Sequence, residues 1–194
     1  MAKSKKALKE ELKKILLKKS FKLGSFVLSS GKKSDYYIDC RTATLDPEGL
    51  WLICQIFLDQ LAKKKIKVDA VGGLTLGADP IVGGMVALSR RRKNPLQGFI
   101  VRKEVKKHGT QKLIEGNLKA GWKVAVVEDV ITTGASAIKA IESAQKQGAK
   151  VKIVLAVVDR EEGGKEEIEK LGIPVYSIFT ASELKASARK LKFS

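Results

Sequence analysis

Two adjacent carboxylates follow an apolar run in the second half of the chain. Glu128 and Asp129 come directly after the run Val124-Ala-Val-Val127, and the small-residue segment Val130-Ile-Thr-Thr-Gly-Ala-Ser136 follows them. This order predicts a strand, a tight turn and a helix N-terminus, where free N–H groups and the helix dipole favour an anion. Carboxylates beside such an anion site can accept hydrogen bonds from hydroxyls. The segment therefore predicts a site for a phosphate and a nearby diol, which are the groups of ribose 5-phosphate.

Two other interpretations of this segment are weaker. It lacks the Gly-Lys-Ser/Thr of a P-loop, which argues against a triphosphate held by Walker-type machinery. It could also be the buried strand and turn of any α/β protein. That interpretation leaves the acidic pair unexplained, because the C-terminal ends of parallel strands are where such sheets bind ligands.

A strongly basic segment precedes this site in the sequence. Residues 102–112 read Arg-Lys-Glu-Val-Lys-Lys-His-Gly-Thr-Gln-Lys and contain His108, the single histidine of the chain. The composition is too polar for a packed element, and it predicts a loop that closes over a polyanion. Its cations would neutralise a leaving diphosphate and exclude water. The alternative is a solvated connection between two strands.

Two further segments could contribute to the same site. Gly72-Gly-Leu-Thr-Leu-Gly-Ala-Asp-Pro80 places glycines at a predicted strand end, where backbone can approach a ligand closely, although a plain turn between strand and helix explains it equally well. Asp159-Arg160 follows a buried strand, so the planar guanidinium of Arg160 could bind a carboxylate or a phosphate. The alternative for Arg160 is a surface ion pair with Glu161 or Glu162.

Composition sets limits on the function. With 194 residues, 44% of them hydrophobic, the chain has the size and composition of one globular domain. The net charge of +17 favours anionic partners, but few aromatic residues lie among the basic segments, which argues against nucleic-acid binding by stacking. Cys40 and Cys54 lack metal-ligand spacing and suggest free thiols in a reducing cytoplasm. The lysine-rich N-terminus contains no apolar run long enough for a signal sequence or a membrane span, so we expect a cytoplasmic protein without a membrane partner.

The periodicity of apolar residues predicts strands that alternate with helices. An amphipathic helix over residues 4–19 and two short strands, 26–28 and 36–38, form a small N-terminal lobe. Predicted strands then follow at 68–71, 98–101, 123–127, 153–158 and 175–178, with helices at 46–64, 78–91, after 136, 165–171 and 181–192. This alternation predicts an α/β fold with a doubly wound, mostly parallel sheet flanked by helices. We expect one domain over 1–194, with the N-terminal helix and hood lobe at 1–42 and the α/β core at 43–194.

Four segments together resemble a known family. Val126-Val-Glu-Asp-Val-Ile-Thr-Thr-Gly-Ala-Ser136 resembles the phosphoribosyl diphosphate (PRPP) motif of type I phosphoribosyltransferases. The segments 30–37, 73–80 and 102–109 occur in the order seen in the orotate phosphoribosyltransferases of that family. Within this resemblance, the basic loop ending in His108-Gly109 and the pair Asp159-Arg160 indicate orotate rather than a purine.

The resemblance implies a role for each matched residue. Glu128 and Asp129 would hold the ribose hydroxyls, and Val130, Ile131, Thr132, Thr133, Gly134, Ala135 and Ser136 would surround the 5-phosphate. Lys103 would bind the diphosphate in its own subunit, and the partner subunit's Arg102, Lys106 and His108 would reach it across a homodimer. Thr132, Arg160 and Tyr37 would contact orotate. Asp129, Lys103, Lys106 and His108 would carry catalysis, and Mg²⁺ would be held mainly by PRPP and water, without a dedicated protein site.

Two positions depart from the pattern of the family. Many members have a lysine where this chain has Ser29, and a Tyr-Lys pair where it has Thr75-Leu76. Lys32, Lys33 or Arg41 are the candidates to replace the missing cations. Two alternatives to orotate transfer have the same PRPP motif: a phosphoribosyltransferase for a purine or another base, and a nucleic-acid-binding regulator that senses PRPP. An Arg160 that binds a carboxylate argues against purines, which carry none.

Overall fold

A six-stranded, mostly parallel sheet forms the centre of the molecule. The computed structural model of the chain describes residues 4–27, 31, 33–92, 94–104 and 112–192. The strands are β1 Phe21–Val27, β2 Lys33–Ile38, β3 Ala70–Leu74, β4 Gln97–Val101, β5 Ile114–Gly116, β6 Lys123–Ile131, β7 Lys150–Asp159 and β8 Val175–Thr180. The helices are α1 Lys5–Ile15, α2 Arg41–Thr44, α3 Pro47–Lys63, α4 Ala78–Ser89, α5 Ala135–Lys146, α6 Gly164–Glu169 and α7 Ala181–Lys192.

The strand order in the central sheet is β5-β4-β3-β6-β7-β8. The pairs β3–β4, β3–β6, β6–β7 and β7–β8 are parallel, and only β5 runs antiparallel, at one edge. The predicted doubly wound α/β fold is therefore confirmed. Strand β4 lies on one side of β3, and β6 lies on the other side, so the order of the strands reverses there. The topological switch point of the sheet is therefore between β3 and β6. Ligands of such sheets bind in the crevice at the carboxyl ends of these strands.

Alternating side chains on the central strands form two hydrophobic cores. Ala125 and Val127 of β6 belong to one core, with α1, α3, α4 and α7. Val124 and Val126 of the same strand belong to the other, with α5 and α6. Because successive residues of a strand point to opposite faces, helices on both faces require the uninterrupted apolar run that the sequence shows.

The hood lobe is a separate two-stranded antiparallel sheet beside the α/β core. β1 pairs with β2 in the register Phe21↔Ile38 and Leu23↔Tyr36, with a bulge between Leu23 and Phe26. α1 precedes this hairpin and ends in a π-helical turn, Leu16–Ser20, whose Leu16 is buried in the core with Leu8 and Leu12 of α1.

Several boundaries differ from the sequence-based prediction. The hairpin strands are longer than predicted, and the short helix α2 and the edge strand β5 were missed, because three or four residues are too few to show periodicity. Strand β6 does not stop before the acidic pair. It continues to Ile131, since Val130 and Ile131 still pair with Val158 and Asp159 of β7.

Two expectations from the sequence concerned the state of the cysteines and the absence of a membrane span. Cys40 and Cys54 are both buried free thiols. Among the described residues, no helix has the length and apolar character needed to cross a membrane.

Candidate active site

The turn between β6 and α5 forms a small concave pocket. It is lined by Glu128 and by residues 130–137, and its volume is about 80 Å³. Gly134 caps α5 in the left-handed conformation, φ 81°, and no described side chain caps this helix end. The first N–H groups of α5 are therefore directed at the pocket, which suits a single anion the size of a phosphate.

A second glycine fixes the shape of this turn. The backbone N–H of Gly164, at the start of α6, donates to the carbonyl of Thr132 at 3.0 Å. A Cβ on Gly164 would lie 2.5 Å from both the Thr132 oxygen and the Gly134 nitrogen, and a Cβ on Gly134 would lie 2.7 Å from the Gly164 oxygen. The two backbones therefore touch, and neither position has room for a side chain.

The acidic pair lies at the edge of this pocket, near the C-terminal end of strand β6. Glu128 is only 5% exposed, and its Oε1 has no hydrogen-bond partner among the described residues. Burial, together with the charge of Asp129, raises the pKa of Glu128 to about 8. Burial also raises the pKa of Asp129, although its Oδ1 accepts a hydrogen bond from the N–H of Val130 at 2.8 Å. Two poorly solvated carboxylates beside an anion site are suited to accept hydrogen bonds from sugar hydroxyls.

The turn after β3 packs directly against Asp129. A Cβ on Gly77, the residue before α4, would lie 2.4 Å from Asp129 Oδ1. In the same turn the Thr75 hydroxyl donates to Asp79 Oδ2 at 2.6 Å, and the Thr75–Leu76 peptide bond is cis. The glycine-rich segment 72–80 and the acidic pair thus meet at the switch point of the sheet.

Arg160 lies on the other side of the cradle, just beyond β7. Its backbone N–H donates to the carbonyl of Ile131 at 2.9 Å, which places it next to the end of β6. The side chain is only 8% exposed, and its Nε donates to Glu162 Oε1 at 2.7 Å. Arg160 Nη2 is buried and has no hydrogen-bond partner in the described part of the chain. The expected alternative, an ion pair with Glu162, is present, but the Arg160 side chain in it is largely buried and keeps one donor for a ligand.

The hood lobe contributes two tyrosines on opposite faces of β2. Tyr36 is buried, with the Arg160 guanidinium carbon 4.8 Å from its ring centroid. Burial raises the pKa of the Tyr36 phenol, while the charge of Arg160 opposes the rise. Tyr37 is 41% exposed, and its ring lies 5.6 Å from the ring of Phe26. The resemblance assigned the base contact to Tyr37, whereas the residue in contact with Arg160 is Tyr36.

Among the proposed replacement cations that the structure describes, Arg41 is the one related to the acidic pair. It forms a bidentate ion pair with Asp39, with both nitrogen–oxygen distances 2.8 Å. The charge of Arg41 partly offsets the burial that raises the Asp129 pKa. Lys33 begins β2, and Lys32 and Ser29 lie outside the described residues.

The basic segment is described only at its ends. Arg102 follows β4, and its Nη1 donates to Glu115 Oε1 of β5 at 3.3 Å. Lys103 is exposed, and its carbonyl accepts a hydrogen bond from Lys139 Nζ of α5, so the segment starts beside the helix that forms the cradle. Residues 105–111, which include Lys106 and His108, lie outside the described residues.

Comparison with known proteins identifies the family. No protein-family model matches the chain. The orotate phosphoribosyltransferase of Aquifex aeolicus (strain VF5) is 50% identical over 179 residues, which cover 91% of this chain and 97% of that protein. This chain belongs to the orotate phosphoribosyltransferase family. Two crystal structures of the Mycobacterium tuberculosis H37Rv orotate phosphoribosyltransferase are also similar. The complex with Fe(III) dicitrate has a TM-score of 0.80 and 39% identity, over 91% of this chain and 98% of that chain. The complex with PRPP has a TM-score of 0.77 and 35% identity, over 92% and 99%.

Sequence reasoning found some contacts of this site and missed others. It named the Arg160–Glu162 ion pair as an alternative, but it missed that Gly164 supports the cradle and that Tyr36 is the tyrosine in contact with Arg160. A glycine pair at 163–164 near an arginine was visible in the sequence, but the contact of α6 with the cradle depends on tertiary packing. The alternation of a strand places Tyr36 and Tyr37 on opposite faces, and only the structure shows which face meets Arg160.

Proposed function

We propose that the chain transfers the 5-phosphoribosyl group from PRPP to N1 of orotate, in the de novo synthesis of pyrimidine nucleotides. The products are orotidine 5′-monophosphate and diphosphate. Membership of the family supports this reaction, and one structural observation favours orotate in particular. Arg160 offers a buried guanidinium donor beside the cradle that no described residue pairs with, and a carboxylate is the ligand that best matches such a donor.

In this proposal the cradle and the acidic pair hold PRPP. The free N–H groups at the start of α5 bind the 5-phosphate. Glu128 and Asp129 accept hydrogen bonds from the two ribose hydroxyls, which provides the partner that Glu128 Oε1 lacks. As the bond from the anomeric carbon to diphosphate breaks, that carbon becomes cationic. The negative charge of Asp129 then stabilises the transition state more than the ground state.

Orotate is held on the opposite side of the anomeric carbon. Arg160 binds its carboxylate beside the ring of Tyr36, and Thr132 contacts the base. Orotate N1 reacts in its deprotonated form, so that its electron pair forms the new bond to carbon and no protein group needs to remove a proton. These residues therefore contribute by alignment of N1 with the anomeric carbon.

The basic segment and Mg²⁺ act on the leaving diphosphate. Lys103, whose carbonyl contacts Lys139 of α5, binds diphosphate in its own subunit in this proposal, and Arg102, Lys106 and His108 serve the neighbouring subunit. A Mg²⁺ ion held mainly by PRPP and water would supply further positive charge at the leaving group. The carboxylates of Glu128 and Asp129 would suit the few protein contacts that such an ion makes.

A screen of nucleobases tests the reaction. Purified protein is incubated with PRPP, Mg²⁺ and one of orotate, uracil, adenine, guanine or xanthine, and the release of diphosphate is measured. We expect turnover with orotate at least 100-fold faster than with any other base, because a site built to bind a polar group rejects analogues that lack it. A preference for a purine would contradict the proposal.

We also propose an isologous dimer in which each basic loop covers the active site of the other subunit. Three large apolar side chains are exposed on the single chain: Leu45 (72%), Trp51 (46%) and Leu76 (63%). Leu45 directly follows α2, Trp51 lies in the second turn of α3, and Leu76 is in the turn that packs on Asp129. A second copy of the chain is the occupant that this face fits, since an isologous contact would bury these side chains next to both sites. We further propose that the protein acts in the cytoplasm, where a reducing environment keeps thiols such as those of Cys40 and Cys54 free.

Mixing two inactive variants tests the shared loop. Lys106→Ala damages the loop that a subunit donates, and Asp129→Asn damages the site that receives it. In a mixed dimer one site carries both lesions and the other carries neither, so activity should reappear after subunit exchange. Exchange is verified with differently tagged subunits. If heterodimers form and activity stays absent, the loop acts within its own subunit.

A further inference from the structure

The C-terminal helix α7 contacts two segments beside the proposed orotate site: the turn after β7 that carries Arg160, and strand β2 of the hood lobe. At its N-terminus, the N–H of Ser182 donates to Glu161 Oε2 at 2.8 Å, and Glu161 is the residue after Arg160. Thr180 and Glu183 form a reciprocal capping box that fixes this helix end. One turn later, Lys185 reaches β2 of the hood lobe. α7 therefore connects the turn that carries Arg160 with the strand that carries Tyr36.

Lys185 makes two contacts with the hood lobe. Its Nζ lies 2.7 Å from Asp35 Oδ2, and it also lies 5.3 Å from the centroid of the Tyr36 ring. The Tyr36 ring stacks on Phe21, with centroids 5.4 Å apart and an interplanar angle of 16°. Arg160 and Lys185 are thus both within cation–π distance of one buried ring whose position Phe21 restricts.

The guanidinium of Arg160 is held at two points. Glu162 accepts a hydrogen bond from its Nε, and the Tyr36 ring packs against it. Its Nη2 has no hydrogen-bond partner among the described residues. The direction of that donor therefore depends on where the Tyr36 ring lies, and the ring is held in place by Phe21 on β1 and by Lys185 on α7.

We propose that Lys185 is a positioning residue for the base site: through Asp35 and Tyr36 it fixes the Arg160 guanidinium in the orientation that binds the substrate carboxylate. Lys185 does not touch either substrate. The inference rests on the proposed role of Arg160 and extends it to a helix outside every motif of the sequence. Loss of Lys185 should weaken the use of orotate and leave the use of PRPP unchanged, since Lys185 contacts Asp35 and Tyr36 of the hood lobe.

The test compares steady-state kinetics of Lys185→Met, Lys185→Arg and Arg189→Met. Methionine keeps the length of the side chain and removes its charge, whereas arginine can still reach both Asp35 and the ring. Arg189 is the matched control. It lies one turn further along α7, 3.7 Å from the same oxygen of Asp35, and it carries the same charge, but it has no recorded contact with Tyr36. Thermal unfolding of each variant verifies that the fold is retained.

We expect Lys185→Met to raise the KM for orotate by about three- to ten-fold, with the KM for PRPP unchanged. Lys185→Arg should restore most of the loss, and Arg189→Met should have little effect. Equal changes in both KM values, or equal effects of Lys185→Met and Arg189→Met, would overturn the inference. Either result would mean that α7 contributes only general stability or charge.

A double-mutant cycle separates this inference from the proposed function. If Lys185 acts through Arg160, the variant Lys185→Met/Arg160→Met should have the same KM for orotate as Arg160→Met alone. Additive effects would overturn the inference while the role of Arg160 stands. If Arg160→Met itself leaves the KM for orotate unchanged, the proposed orotate site is wrong, and that result is visible without Lys185.

Discussion

Replacing Glu128 with glutamine should make the folded protein more stable, and increasingly so as the pH rises. The buried carboxyl has a pKa of about 8 in the folded chain, against an ordinary value of 4.5. Between these two values the folded state holds a proton that the unfolded state releases. The free energy of unfolding therefore decreases as pH rises through this window, by up to about 1.4 kcal/mol per pH unit. Glutamine cannot ionise, so the variant Glu128→Gln does not show this decrease in the free energy of unfolding.

The size of the effect follows from the width of the window. Between pH 5 and pH 8 the stability difference between Glu128→Gln and the wild type should grow by roughly 2–4 kcal/mol in favour of the variant. Urea unfolding at a fixed protein concentration, measured at pH 5, 6.5 and 8, gives this difference directly. Glu142→Gln is the control, because it removes the same charge from an exposed position on α5.

A stability difference that does not change with pH would refute this reasoning. Such a result would mean that Glu128 is ionised and well paired in the folded protein. The expected gain in stability should accompany weaker PRPP binding, because the same carboxylate is proposed to hold a ribose hydroxyl. Sites that bind charged or polar ligands commonly carry such a cost in stability.

Three other substitutions test the site. Asp129→Asn should reduce kcat by about 100- to 1,000-fold with an unchanged circular dichroism spectrum, and wild-type turnover would contradict its role. Gly134→Ala should destabilise the protein by roughly 1–3 kcal/mol in urea unfolding and raise the KM for PRPP. Gly121→Ala is the control, because Gly121 has the same φ of 81° but open space around it. An equal loss of stability in both variants would show that crowding by Gly164 has no effect. Glu162→Gln should raise the KM for orotate several-fold and not that for PRPP, and a change in the KM for PRPP alone would show that Glu162 does not act on Arg160.

The sheet and the cradle could be predicted because their signals are local. A strand buried on both faces needs an uninterrupted apolar run, and β6 and β7 both show one. Gly134 and the small residues around it define the turn by their own conformational preferences. The acidic pair at the end of β6 was visible for the same reason, since two adjacent carboxylates after an apolar run have few structural uses.

The parts that could not be predicted depend on contacts between distant segments. Gly164 supports the cradle from α6, thirty residues further along the chain, and nothing in its local sequence reveals that contact. The boundary of β6 was placed too early because charged residues normally mark the end of a buried strand. Here pairing with β7 extends the strand, and the acids remain in it although burial raises their pKa values. Local and global preferences conflict at these residues, as is common at functional sites.

Substrate discrimination by Arg160 is the central claim, and it can be measured with one ratio. The ratio is kcat/KM for orotate divided by kcat/KM for uracil, which has the same ring without the carboxylate. In Arg160→Met this ratio should fall by about 10- to 100-fold from the wild-type value, the loss expected for a charged hydrogen bond. The fall should come from orotate, with uracil and the KM for PRPP nearly unchanged. An equal loss for both bases would show that Arg160 only supports the fold, and the assignment of this pocket to orotate would be wrong.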